Sequence, residues 1–152
     1  MKLFCDIGLG SIYSIKQSIL TDRGETVQIF KNKWFSKFAR EEGILDKELC
    51  EAVRDANRGL IDVDYGGGVI KQRIARPHEG KSGGFRSIIL YRQDEKAVFV
   101  FGFPKKDKDN IKIDEVRWFK KMAKSTFAHS EDQLAKLIKA GDFRPVKYHE
   151  QD

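Results

Sequence analysis

The chain has 152 residues, 40% of them hydrophobic and 34% charged, with 29 Lys and Arg against 23 Asp and Glu. That composition supports one domain with a buried core and excludes wholesale disorder, and no apolar run is long enough to span a membrane. The net charge of +6 and the pI near 9.3 permit a polyanionic partner without requiring one.

Cys5 and Cys50 form neither a CxxC nor a Cys/His spacing. Two cysteines so placed argue against a structural zinc site and a disulfide framework, and fit a reducing cytoplasm. No metal and no small-molecule cofactor is expected. The first twenty residues lack a basic start followed by an unbroken apolar stretch, so no signal peptide is expected.

Residues 1–26 balance their charges and show no clear periodicity. They read as an appendage that need not belong to the native domain. The domain itself is expected over 27–127, followed by a C-terminal helix and tail over 128–152. "VQIF" at 27–30 reads as a strand. Asn32 is a plausible N-cap for "KWFSKFAREE", which places Trp34, Phe35 and Phe38 on one core face and stops at Gly43. In "DKELCEAVRDANRG", Leu49, Ala52, Val53 and Ala56 recur at amphipathic spacing, with Gly59 as the stop. The two helices make a helical hairpin.

Three strand-like runs follow: "GVIKQRIAR", "GFRSIILYRQ" and "KAVFVFGF". The last is apolar at successive positions, as in a strand buried on both faces. The short polar "RQDEK" joins the second and third as an antiparallel hairpin. "DEVRWFKKMAK" and "SEDQLAKLIKAG" are helical, the latter with a capping box from Ser130 and Gln133 and a stop at Gly141. The order β-α-α-β-β-β-α-α implies an α+β domain, with helices on one face of a small twisted antiparallel sheet.

"ARPHEGKSGGFR" (75–86) ends like a phosphate-binding loop, but Ala75 stands where the first glycine is needed, and a strand follows instead of a helix. Nucleotide binding of that type is excluded on both counts. What the stretch does carry is charge. Between residues 69 and 108 ten basic residues face four acidic ones, which matches the excess of the whole chain. Alternation puts Lys71 and Arg73 on one face of the first run, away from Ile70, Gln72 and Ile74. Arg76 ends that run, His78 and Lys81 lie in the loop, Arg86 opens the next strand, and Lys105 and Lys106 follow the third. A solvated sheet face would show the same alternation. The glycines of "YGGG" and "GKSGG" leave room for a ligand's approach, or are plain turns. His78 is a candidate proton carrier, although His78, His129 and His149 form no constellation. Asp62 and Asp64 read as part of a turn.

With those residues in view, the chain resembles the RelE/ParE/HigB superfamily of toxins from type II toxin–antitoxin systems, in its RelE-like subgroup. The resemblance rests on "CEAV", "RGL", "GGGV", "RIARP", "GKSGGFR", "YR", "FV", "GF" and "NI", in order from Cys50 to Ile111. It covers about 27–125. It implies a compact α+β fold with a helical hairpin on a twisted antiparallel sheet. It also implies a ribosome-dependent endoribonuclease (an mRNA interferase) that cuts messenger RNA through its 2′-hydroxyl and so inhibits translation. A small helix-turn-helix antitoxin neutralises such toxins.

Carried over by position, the catalytic candidates are Lys71, Arg73 and Arg86. Arg76, His78, Lys81, Lys105 and Lys106 are the RNA-binding candidates. Ile111 stands where the nuclease has a tyrosine near the start of its last helix, which leaves the general acid unassigned. Two other readings stay beside this one: a ParE-like toxin acting on DNA gyrase without nuclease activity, and a degenerate toxin that only binds its antitoxin.

Overall fold

The computed structural model describes residues 18–20, 26–76, 80–105 and 110–147, with only the backbone at 18–20, 76 and 80–83. The elements are β1 (Ser18–Leu20), β2 (Thr26–Asn32), α1 (Lys33–Glu42), α2 (Asp46–Asn57), β3 (Val63–Gly66), β4 (Val69–Arg76), β5 (Gly80–Arg92), β6 (Lys96–Pro104), α3 (Ile113–Phe127), α4 (Glu131–Ala140) and β7 (Phe143–Pro145). The expected helices and long strands are present. β1, β3 and β7 were not foreseen, because strands of three or four residues carry too little alternation to read.

Local chemistry sets the helix ends. The Asn32 side chain accepts a hydrogen bond from the Phe35 amide at 2.8 Å, and Gly43 closes α1 in the left-handed region at φ 73°. Ser130 and Gln133 form the reciprocal cap of α4, at 3.2 and 2.8 Å.

The strands form one sheet in the order β1-β2-β6-β5-β4-β3. β1 pairs with β2 along Thr26 to Gln28, and β7 pairs with β2 along Phe30 to Asn32. The sheet therefore reaches back into the segment read as an appendage, and forward past residue 128. It is mixed and not wholly antiparallel, because β2 runs parallel to β6. The intervening helices and hairpins supply the long crossover that a parallel pair needs.

Helices cover both faces, not one. α1 and α2 pack Phe35, Ala39, Leu49 and Val53 against Ile70, Ile74, Ile89 and Phe99. On the other face, α3 and α4 pack Phe119, Ala123 and Leu134 against Val69, Ile88, Leu90 and Val98. The unbroken apolar run of β6 required this arrangement, since a strand with two apolar faces must be covered twice.

A register shift between Ile88 and Ile89 leaves Val100 unpaired, so that Ile88 faces Phe101 while Ile89 faces Phe99. This bulge puts Val100 and Phe101 in succession on the α3 side and turns Gly102 toward α1. There Phe35 and Phe38 lie directly over the glycine. A Cβ at Gly102 would sit 2.5 Å from the Phe38 ring and 3.1 Å from that of Phe35. Trp34, read as core, instead lies at the rim, 45% exposed, and stacks on Phe38 at 5.3 Å.

Gly102→Ala should force these rings apart and cost about 1–3 kcal/mol. In denaturant unfolding, the midpoint should fall with an unchanged slope.

Candidate functional site

Lys71 and Arg73 project from β4, and Arg86 from β5. Arg73 lies directly opposite Arg86 in the ladder, and Lys71 opposite Ile88. All three therefore share the α3 face of the sheet, at the end where its apolar core gives way. Two arginines facing each other across neighbouring strands repel unless an anion lies between them. That anion is Asp62.

The Asp62 carboxylate lies 3.5 Å from the Lys71 ammonium, 3.6 Å from Arg73 Nε and 3.6 Å from Arg86 Nε. Asp62, assigned to a turn in the sequence reading, is thus the hub of the candidate catalytic residues. Asp64 does serve a turn, accepting from the Gly66 amide at 2.9 Å. The exposure of the three cations differs sharply: the side chains of Lys71 and Arg86 are 8% and 5% exposed, that of Arg73 51%. Lys71 Nζ also donates to Asn110 Oδ1 at 2.6 Å, which ties β4 to the segment before α3. Asp62 Oδ2 is buried, and none of its ion-pair neighbours stands in hydrogen-bonding geometry toward it.

Gln72 places this hub from the far face of β4. Its Nε2 donates to the carbonyls of Ala52 at 3.0 Å and Leu60 at 2.8 Å, and its Oε1 accepts from the Asp62 amide at 3.1 Å. One buried amide thus locks the chain entering β3 against α2 and β4. Sequence reasoning missed it, although a lone glutamine between Ile70 and Ile74 on an apolar face signals a buried polar anchor. Beside Asp62 opens a cleft of about 560 Å³, whose lining includes Leu60, Asp62, Gln72 and Arg73.

Tyr65 lies close by. Its hydroxyl is buried, and the Ile111 backbone beside it falls short of full hydrogen-bond geometry. Burial pushes the phenol up from its ordinary pKa and the Asp62 carboxylate adds to this, while the Ile111 backbone pulls the other way. Ile111 itself is buried in the core under α3. Ile111 thus packs in the core at this position, and the Tyr65 phenol from β3 lies beside its backbone.

Of the RNA-binding candidates, only Lys105 has a described side chain. Lys105 follows β6, is exposed, and has no ion-pair partner among the described residues. His78, Lys106 and the side chains of Arg76 and Lys81 lie outside the described residues. Cys50 is not a nucleophile candidate: burial pushes its thiol up to about 11, with Arg54 pulling down and Asp46 adding. Among the described residues no cluster of His, Cys, Asp and Glu is suited to hold a metal, and no helix is long and apolar enough to cross a membrane.

A family model described as the RelE toxin of the RelE/RelB toxin–antitoxin system matches residues 27–146. The match takes in α4 and β7 as well as the strands that carry the cations. No curated protein matches the chain well enough to count as a relative.

Gln72→Ala should leave two carbonyls and the Asp62 amide without their partner and lower stability by about 1–3 kcal/mol. Thermal unfolding would measure this, and hydrogen exchange should show the loss of protection concentrated at 60–62.

Proposed function

The chain belongs to the RelE toxin family of toxin–antitoxin systems, and on that footing we propose that it is a ribosome-dependent messenger-RNA endoribonuclease that arrests translation. The observation that carries this reading is the convergence of Lys71, Arg73 and Arg86 on one anion-binding point. A toxin of this family has an antitoxin as partner; we take it to be a small helix-turn-helix protein.

RNA cleavage through the 2′-hydroxyl requires that oxygen to attack the adjacent phosphorus while the 5′-oxygen leaves. Negative charge builds on the non-bridging oxygens as this happens. Fixed cations stabilise that charge without rearranging at the moment of reaction. Arg73 is the residue presented to solvent and would meet the phosphate first. Arg86 and Lys71 would complete the grip, with guanidinium forks suited to paired oxygens. Lys71 is placed among groups that accept hydrogen bonds or carry negative charge, Asn110 and Asp62. It therefore enters this reading as a charge clamp. Among the described residues no histidine pair stands at the cluster, and the ribosome would supply much of the effect by orienting the message.

One observation favours a second reading. Lys71 and Arg86 are nearly buried, which would suit a toxin whose surviving role is to bind its antitoxin.

Expression of the chain without an antitoxin should arrest growth, and the Lys71→Ala/Arg86→Ala double variant should lower cleavage of ribosome-bound message by about a hundredfold or more. A double variant as toxic as the parent contradicts the assignment. Purified protein that leaves the message whole but blocks DNA supercoiling would point to gyrase as the target.

A further inference from the structure

The Asp62 carboxylate occupies the one place where all three candidate phosphate-binding cations meet. We propose that Asp62 is a built-in stand-in for phosphate: it fills the anion site of Lys71, Arg73 and Arg86 and is displaced when a phosphate group of RNA enters. This inference rests on the reading of that site as an RNA-phosphate site.

Four features support the exchange. First, the site needs an anion at rest. Arg73 and Arg86 face each other directly in the ladder, and Lys71 stands nearly buried beside them. Without a negative charge between them, the three cations would repel one another, and Lys71 and Arg86 are buried where little water screens them. Second, the anion present is held loosely. All three contacts lie at 3.5–3.6 Å, and Asp62 Oδ2 makes no hydrogen bond although it is buried. A carboxylate chosen for tight structural pairing would reach the shorter, directed contacts of charge-assisted bonds. Lys31 and Asp46 in this same chain do so, at 2.8 Å.

Third, the charges match. A phosphodiester brings one negative charge, the same as the carboxylate it replaces, and its two non-bridging oxygens present similar paired acceptors. The exchange therefore leaves the site's net charge unchanged. Fourth, there is a way in. Asp62 and Arg73 both line a surface cleft with Leu60 and Gln72, and the Arg73 side chain is half exposed. The backbone at 62 is pinned by Gln72, so the displacement is a rotation of the Asp62 side chain. Resting protein would then show weak affinity for free RNA, because each binding event must first expel the internal anion.

The test uses the full chain and its Asp62→Asn variant, which keeps the shape and removes the charge. The probes are inorganic phosphate and a short single-stranded RNA, with binding followed by calorimetry at fixed salt. The variant should bind the RNA about tenfold more tightly than the parent. Equal or weaker binding would overturn the inference and make Asp62 an organiser of the cations. A gain for inorganic phosphate with none for RNA would also overturn it, assigning the site to free phosphate.

If the variant is poorly folded, melting curves carry the test. Added phosphate should raise the variant's Tm more than the parent's, because ligand binding stabilises the state that holds the site; equal shifts sink the idea. Cleavage of ribosome-bound message by the parent is assayed alongside. Tighter binding by the variant without cleavage by the parent would leave the stand-in and remove the nuclease. Cleavage with no gain in binding would do the reverse.

Discussion

Two arginines opposite each other on adjacent strands, with a lysine two residues away, destabilise one end of a sheet unless an anion lies among them. In this chain that anion is Asp62. Much of the local structure exists to deliver it. Gln72 crosses from the other face of β4 to hold the backbone at 62, anchoring it to α2 through the Ala52 carbonyl. Ser87 Oγ in turn donates to the Gln72 carbonyl at 3.1 Å. The polar site on the α3 face and the polar anchor on the α1–α2 face are therefore two sides of one strand, and a change on either is felt on the other.

The rest of the fold supplies rigidity around that point. β6 is buried on both faces and lies at the centre of the sheet. The bulge at Val100 lets its last residues serve both layers. Phe101 and Phe103 turn toward α3, while Gly102 admits the rings of Phe35 and Phe38. Arg86 lies opposite Phe103 in the ladder, so the packing that fixes β6 also fixes one of the three cations.

Much of this could be read in the sequence, and the gaps have physical causes. Helix caps at Asn32 and Ser130, the stops at Gly43 and Gly141, and the β5–β6 hairpin follow from local chemistry and were legible. So was the shared face of Lys71 and Arg73, because side-chain alternation along a strand is strict; that Arg86 joins them depends on the β4–β5 register. The parallel pairing of β2 with β6 and the cover on both faces were missed, since both depend on contacts distant in sequence. The continuous apolar run of β6 nevertheless demanded the second layer. Asp62 looked like a turn residue because nothing local distinguishes it from Asp64. Only the fold brings it to the cations. Ile111, which stands where the nuclease has a tyrosine, is buried under α3, and Tyr65 from β3 lies near its backbone.

The central claim is that a cluster of fixed cations cuts RNA by way of the substrate's own 2′-hydroxyl. It is tested most directly by presenting the purified chain with ribosome-bound message that carries a single 2′-deoxynucleotide at the cleavage position. The account predicts that the unmodified message is cut, leaving a 2′,3′-cyclic phosphate on one product and a 5′-hydroxyl on the other, and that the deoxy message stays whole. A deoxy message cut as fast as the unmodified one, or an unmodified message left intact, would contradict it.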